Sequence, residues 1–95
     1  DYFMWTPTAF TPNGDGENDI YQPIFHNIIE STFQLFIYDR WGKLVYQSTD
    51  INGGWDGIRQ DNGLSAEISS YSFLARFNTY RNKLQEKTGS FLLLK

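Results

Sequence analysis

Four oxygen-bearing side chains in one short stretch are the first candidates for chemistry. They alternate with other residues between Phe10 and Asp19, and are Asn13, Asp15, Glu17 and Asp19. Such alternation, with a glycine for a sharp turn, is part of the calcium-loop pattern. If Asn13 and Asp15 hold the third and fifth loop positions, Thr11 and Gln22 hold the first and last, and neither supplies a carboxylate. A turn rich in Asn, Asp and Gly explains the same residues by local capping and is favoured over calcium.

Residues suited to catalysis are scarce. His26 is the single histidine, the sequence contains no cysteine, and the carboxylates of the turn have no facing partner. Thiolate and histidine-cluster metal sites are therefore excluded, and so is nucleophilic chemistry based on a cysteine. We expect no enzymatic activity and no cofactor, with calcium at the turn as the alternative.

A second motif combines an aromatic and a cation in a tight turn, Asp39-Arg40-Trp41-Gly42. Aspartate suits the first position of a type I turn because its carboxylate can accept the amide two residues on, and glycine suits the last because φ is often positive there. The sequence predicts a hairpin with a glycine bulge. Trp41 is then either displayed to solvent beside Arg40, as in protein interfaces, or folded back as a plug of the core.

A third motif surrounds one tryptophan with glycines, in the segment Asn52-Gly53-Gly54-Trp55-Asp56-Gly57. The glycines allow sharp bends and close backbone approach, with the indole as the packing element. We expect Trp55 to fill the core and Asp56 to cap a turn. The alternative is a platform on which Trp55 stacks against a carbohydrate.

The charge disfavours nucleic acid as a partner, because the formal net charge is -3 and the pI is about 4.9. Residues 1–39 hold six acidic and no basic residues, whereas residues 40–95 hold eight basic and five acidic ones. The two halves either complement each other within one sandwich or present an acidic edge to a partner. The longest apolar run, Phe91 to Leu94, is far shorter than the roughly 20 residues that cross a bilayer as a helix.

The elements that must position these motifs are strands, since apolar residues recur with a period of two. The clearest are Ser31 to Asp39, Gly42 to Ser48 and Tyr71 to Phe77. Weaker candidates are Tyr2 to Thr6, Asp19 to Phe25, Lys83 to Lys87, and Ser90 to Leu94, with Pro23 indicating an edge strand. About seven strands without an amphipathic helix predict an all-β antiparallel sandwich.

Together these motifs resemble a known family. Phe10 to Asp19 (FTPNGDGEND), Ile37 to Tyr46 (IYDRWGKLVY), Gly54 to Gly57 (GWDG) and Gly89 to Lys95 (GSFLLLK) are similar, in the same order, to the gliding motility-associated C-terminal domain of Bacteroidetes surface proteins. That family is also described as the type B sorting domain of the type IX secretion system. The segment from Ile58 to Ser70 departs from the family pattern, in which a short Pro/Gly-containing turn is common.

The resemblance implies an immunoglobulin-like β-sandwich that directs a large upstream cargo across the outer membrane, from the periplasm to the cell surface or medium. It implies as partners the type IX translocon and a porin-like outer-membrane protein. Residues 1–95 would be a single C-terminal sorting domain, and we expect a fragment of a longer protein because residue 1 is not methionine.

Two functions follow from these observations. In the first, the domain is a folded address, and its expected partner contacts are the turn and the last strand: Asp39, Arg40, Trp41, Gly42, Lys43, Phe91, Leu93 and Lys95. In the second, it is an adhesion module in which Trp41 and Trp55 stack on sugars. The resemblance favours the address.

Overall fold

Strands form where bulky residues alternate with polar ones, because one face of each strand must be buried. The computed structural model describes residues 1–81 and 83–95 and contains seven strands. They are β1 (Phe3–Trp5), β2 (Ala9–Phe10), β3 (Ile24–His26), β4 (Ile28–Tyr38), β5 (Leu44–Ser48), β6 (Ser69–Thr79) and β7 (Leu84–Leu93). The described residues contain no helix, so none that could span a membrane. The predicted all-β sandwich is confirmed.

The strands form two sheets of unequal size. The larger has the order β2-β7-β6-β4-β5, and the smaller pairs β1 with β3. All pairs are antiparallel except β2 with β7, which run parallel and place Ala9 beside Leu92 and Phe10 beside Leu93. The first ten residues therefore contribute one strand to each sheet.

The core lies between the sheets and is rich in aromatic rings. Alternate residues of the long strands point into it, including Phe33, Leu35 and Ile37 of β4 and Tyr71, Phe73, Ala75 and Phe77 of β6. Phe25 of β3 covers them from the smaller sheet and packs edge-on against Phe33 and Phe77 at 5.0 and 5.6 Å between ring centroids. The opposite face of the large sheet carries the other members of the alternation, which are polar or half-buried: Gln34, Phe36, Tyr38, Ser72, Leu74 and Arg76.

Two strand predictions need correction at the C-terminal end. Lys83 to Lys87 and Ser90 to Leu94 are not separate strands but parts of the continuous β7. Gly89 does not end the strand, because it lies opposite Phe73, where a Cβ atom would come within 2.6 Å of the ring. The glycine between the two predicted strands thus makes room for an aromatic ring and does not interrupt the strand.

Other boundaries also differ from the prediction. The strand predicted over Asp19 to Phe25 is replaced by the shorter β3, Ile24–His26, which overlaps it only at Ile24 and Phe25. The two-residue β2 was not predicted. The strand predicted from Ser31 begins earlier, at Ile28, and the register of β4 on β6 shifts between Ile29 and Gln34. These differences arise where tertiary pairing, rather than local alternation, decides the conformation.

Candidate functional site

The turn between β4 and β5 is a three-residue hairpin with the predicted geometry. The amide of Gly42 donates to the carbonyl of Asp39 at 2.9 Å, and the amide of Asp39 donates to the carbonyl of Lys43 at 2.9 Å. Gly42 has φ +83°, a left-handed conformation that favours glycine. The type I turn with its glycine bulge is confirmed.

The side chain of Asp39 holds this hairpin in its conformation. Its Oδ1 atom accepts the amides of Trp41 and Lys43, both at 2.9 Å, and its Oδ2 atom accepts from Nη2 of Arg59 at 3.3 Å. The residue is 9% exposed, so its charge needs these donors. The carboxylate therefore holds both the backbone of the turn and its link to the next loop.

Trp41 is displayed, not folded back. Its side chain is 79% exposed, and the Arg40 guanidinium lies 4.8 Å from its ring centroid, within the range of a cation–π contact. Of the two placements that the sequence left open, the structure shows the solvent-exposed one. We call Arg40, Trp41 and Lys43, with the turn that holds them, the hairpin tip.

An ion network that the sequence did not predict supports the tip. Arg59 donates through Nε and Nη2 to the two carboxylate oxygens of Asp61, at 3.0 and 2.9 Å, while reaching Asp39. Lys43 Nζ lies 3.2 Å from Asp61 Oδ2. These partners fall in Ile58 to Ser70, the segment that departs from the family pattern, and they lie about twenty residues from Asp39. No local pattern around Arg59 or Asp61 indicates a partner so far away along the sequence.

The network changes the pKa values of its members. Hydrogen bonding from Arg59 is the main cause that lowers the pKa of Asp61 to about 2, and Lys43 adds to it. For Asp39, burial alone would raise the pKa, but the amides of Lys43 and Trp41 and the Arg59 guanidinium outweigh it and hold the pKa below its ordinary value. In turn, bonding to Asp61 raises the pKa of Arg59. The tip is thus anchored by charged groups at neutral pH.

The segment Asn13 to Asp19 is a turn held together by hydrogen bonds between its backbone amides and its own side chains. Asp19 accepts the amides of Asn13, Gly14 and Gly16 at 2.7 to 3.1 Å, Asn13 caps the amide of Asp15, and Asp15 caps that of Glu17. Both oxygens of Asp19 are therefore engaged with amides. No cluster of three His, Asp or Glu side chains suited to a metal ion occurs in the part of the chain that the structure describes.

Trp55 is fully buried, with 0% exposure, and cannot stack on a sugar in the folded domain. Its backbone pairs with Tyr21, its indole Nε1 donates to the carbonyl of Ile58 at 2.9 Å, and its ring lies 5.2 Å from that of Tyr71. Asp56 accepts the amide of Ile58 at 2.9 Å. The predicted core position of Trp55 and the capping role of Asp56 are confirmed. The alternative in which Trp55 stacks on a sugar is wrong, because its ring is buried.

The predicted partner contacts at the C-terminal end differ in their exposure to solvent. Phe91 and Leu93 are buried at 2% and 0% exposure, whereas Lys95 is exposed. In the folded domain the first two side chains pack the core, and an approaching molecule would meet the alternate residues Leu92 and Leu94 instead. These two were not singled out in the sequence because alternation gives the two faces of a strand but not which is buried.

The hairpin tip and the end of β7 lie at the same end of the large sheet. Tyr38, the last residue of β4, pairs with Ser72 near the start of β6, and Leu93 of β7 pairs with Ser69 at that start. One strand separates β4 from β7, so about 10 Å lies between them across the sheet. The turn that follows Phe10 emerges at this end too, because Phe10 pairs in parallel with Leu93.

Comparison with protein families shows to which family this chain is related. Residues 4–94 match the type IX secretion signal domain family, CHU_C. The chain belongs to this family. A signal of this kind directs export across the outer membrane to the cell surface or medium, and the family is not a class of enzymes.

Other comparisons bear on the fold of the signal domain. The crystal structure of CopC from Methylosinus trichosporium OB3b aligns with a TM-score of 0.61 and 16% identity, over 98% of this chain and 93% of that one. This likeness supports the immunoglobulin-like sandwich and is confined to the fold. No curated protein matches the sequence.

The ion network makes the stability of the signal domain pH-dependent. Because Asp61 has a lower pKa when folded than when unfolded, it stabilises the fold above its ordinary pKa, and this contribution is lost as pH falls from about 5 to about 2. We expect Asp61→Asn to flatten the pH dependence of the free energy of unfolding in this range. Urea denaturation at a series of pH values measures the free energy of unfolding.

The control is Glu30→Gln, because Glu30 is an exposed carboxylate on β4. This variant should keep the pH dependence of the wild type. An unchanged pH dependence in Asp61→Asn would contradict the role assigned to Asp61.

Proposed function

We propose that the signal domain is read as a folded shape by the type IX translocon and a porin-like outer-membrane partner, and that the hairpin tip is a principal contact. The observation that carries this proposal is the position of Trp41, an indole 79% exposed on a turn whose base is fixed by hydrogen bonds and ion pairs. Tryptophan and arginine are the residues that most often dominate binding energy at interfaces.

The rigid base supports recognition because it lowers the cost of binding. Asp39 and Arg59 hold the turn in one conformation before any partner arrives, so less conformational entropy is lost on contact. The tip offers a flat apolar ring beside the cation of Arg40. The complementary partner surface is an apolar pocket bordered by carboxylates.

In this proposal the domain is the C-terminal part of a larger cargo, which passes through the periplasm and is then sorted by the type B route used by Bacteroidetes gliding proteins. The motifs FTPNGDGEND and IYDRWGKLVY support that assignment. The cargo supplies the activity at the cell surface, and the signal domain supplies the address without any chemistry of its own.

The test is export of a reporter. Residues 1–95 are fused to the C-terminus of a periplasmic reporter with its own inner-membrane signal, in a host that has the type IX system and the matching porin-like partner. We expect Arg40→Ala with Trp41→Ala to reduce surface or medium reporter strongly, since an interface anchor contributes about 2 kcal/mol or more. The melting temperature should barely change, because exposed side chains contribute roughly 0.5 kcal/mol or less to stability.

The other hairpin supplies a matched control. Tyr80 and Arg81 also place an exposed aromatic and a cation in a turn, at the opposite end of the large sheet. Tyr80→Ala with Arg81→Ala should leave export at the wild-type level. Equal loss in both double variants would refute the tip as a specific contact, and failure of the wild-type fusion to leave the periplasm would refute the address.

A further inference from the structure

The large sheet has two edges, and the fold covers them very differently. At β5, Gln60 acts in place of a neighbouring strand: its amide donates to the carbonyl of Val45 at 2.8 Å, and its side-chain Oε1 accepts the amide of Gln47 at 2.8 Å. Its Nε2 atom also lies 3.4 Å from the carbonyl of Gln47. Gln60 thereby occupies three backbone groups of this edge, the carbonyls of Val45 and Gln47 and the amide of Gln47.

The other edge is β7, and only its last residues are covered. The amides of Leu92 and Leu94 donate to Thr8 and Phe10 of the N-terminal segment, both at 2.9 Å. Since backbone groups of successive residues point to opposite sides of a strand, the even-numbered residues earlier in β7 also face away from β6. The residues concerned are Leu84, Glu86, Thr88 and Ser90. Within residues 1–81 and 83–95, their outward N–H and C=O groups form no hydrogen bond with the protein.

The charge beside this edge is positive. Arg81 and Lys83 are exposed at its start, and Lys87 lies midway along it with Nζ 5.7 Å from the Tyr2 ring centroid. Glu86 is already paired with Arg76 at 3.0 Å, and Asp1 lines the same cavity of about 180 Å³ as Arg81 and Lys83. Three cations and two acids of the described residues therefore lie along this edge or at its start. A second copy of the domain would bring like charges together along this edge, which disfavours self-pairing.

We propose that the open edge of β7, from Leu84 to Ser90, receives an extended acidic segment of a partner protein as an added strand. Main-chain hydrogen bonds to the four outward-facing residues would provide affinity, and carboxylates near Lys83 and Lys87 would provide selectivity. Thr8 ends the open stretch, so the added strand has at most about seven residues, or roughly 23 Å. This surface lies on the opposite edge of the sheet from the β4–β5 hairpin and does not depend on the role of the tip.

The test uses a seven-residue peptide that alternates valine with glutamate, blocked at both ends, and a control peptide with lysine in place of glutamate. In an NMR titration of residues 1–95, we expect the glutamate peptide to shift and protect the amides of Glu86, Thr88 and Ser90. The lysine peptide should bind at least tenfold more weakly. Absence of binding by the glutamate peptide, equal binding by both, or protection at another surface would overturn the proposal.

A proline substitution at the edge separates backbone pairing from charge. Thr88→Pro removes one outward N–H while leaving the bonds of β7 to β6, and proline is tolerated on an edge strand in that orientation. We expect it to weaken binding of the glutamate peptide at least tenfold, whereas Thr88→Val, which keeps the N–H, should bind like wild type. If Thr88→Pro does not fold, amide protection in the wild-type protein decides the question alone. Retained binding in folded Thr88→Pro would show that no strand is added.

Discussion

Removal of Ser90 to Lys95 is expected to abolish both the fold and export of a fused reporter. The deletion takes from the core the side chains of Phe91 and Leu93, each of which would cost about 2–5 kcal/mol if truncated alone. It also leaves β2 without a partner and shortens β7 beside β6. The combined loss is comparable to the whole stability of a small domain, about 5–15 kcal/mol.

Far-UV circular dichroism and thermal unfolding measure the first part of this prediction, and the reporter assay measures the second. Deletion of Lys95 alone is the matched control, because that residue is exposed and lies outside β7. It should preserve the melting temperature. Export by the longer deletion would show that a linear segment, and not a folded shape, is recognised.

The second large effect is expected for Trp55→Ala. The indole is fully buried among the rings of Phe10, Tyr46, Tyr71 and Phe91, so its removal leaves a cavity and an unpaired carbonyl at Ile58. Truncation of a buried tryptophan costs about 3–5 kcal/mol. Urea unfolding followed by circular dichroism measures the loss without dependence on tryptophan fluorescence.

The chain contains its own control for this substitution. Trp41→Ala makes the identical change at a side chain that is almost wholly exposed, and should alter the free energy of unfolding by about 0.5 kcal/mol or less. The two variants should therefore separate cleanly, one losing stability and the other losing only export. Similar destabilisation of both would mean that the indole of Trp41 packs against the domain in solution.

Local chemistry explains which features the sequence predicted well. The alternation in β4 and β6 is strong because both strands are long and bury one face, and the hairpin was predictable because Asp39 and Gly42 suit single positions of one turn type. Trp55 was predicted as core because the glycines around it allow the backbone to approach closely and pack against its ring. In each case the information lies within a few residues.

The features that escaped prediction depend on contacts between distant segments. β2 is two residues long and forms only because β7 lies beside it. The need for glycine at position 89 depends on Phe73, which lies opposite it on β6. Likewise Arg59 gives no local indication that it holds Asp39, twenty residues earlier. The exposure of Trp41 could not be decided for the same reason, since it depends on what the rest of the fold leaves uncovered.

The parallel pairing of β2 with β7 has a consequence for timing. Ala9 cannot pair with Leu92 until nearly the whole of this sequence has been synthesised. Contacts so distant along the chain form late, because the loop between them must close first. If the domain is recognised as a folded shape, as proposed above, a chain whose synthesis stopped before Leu92 would lack this pairing and would not be recognised.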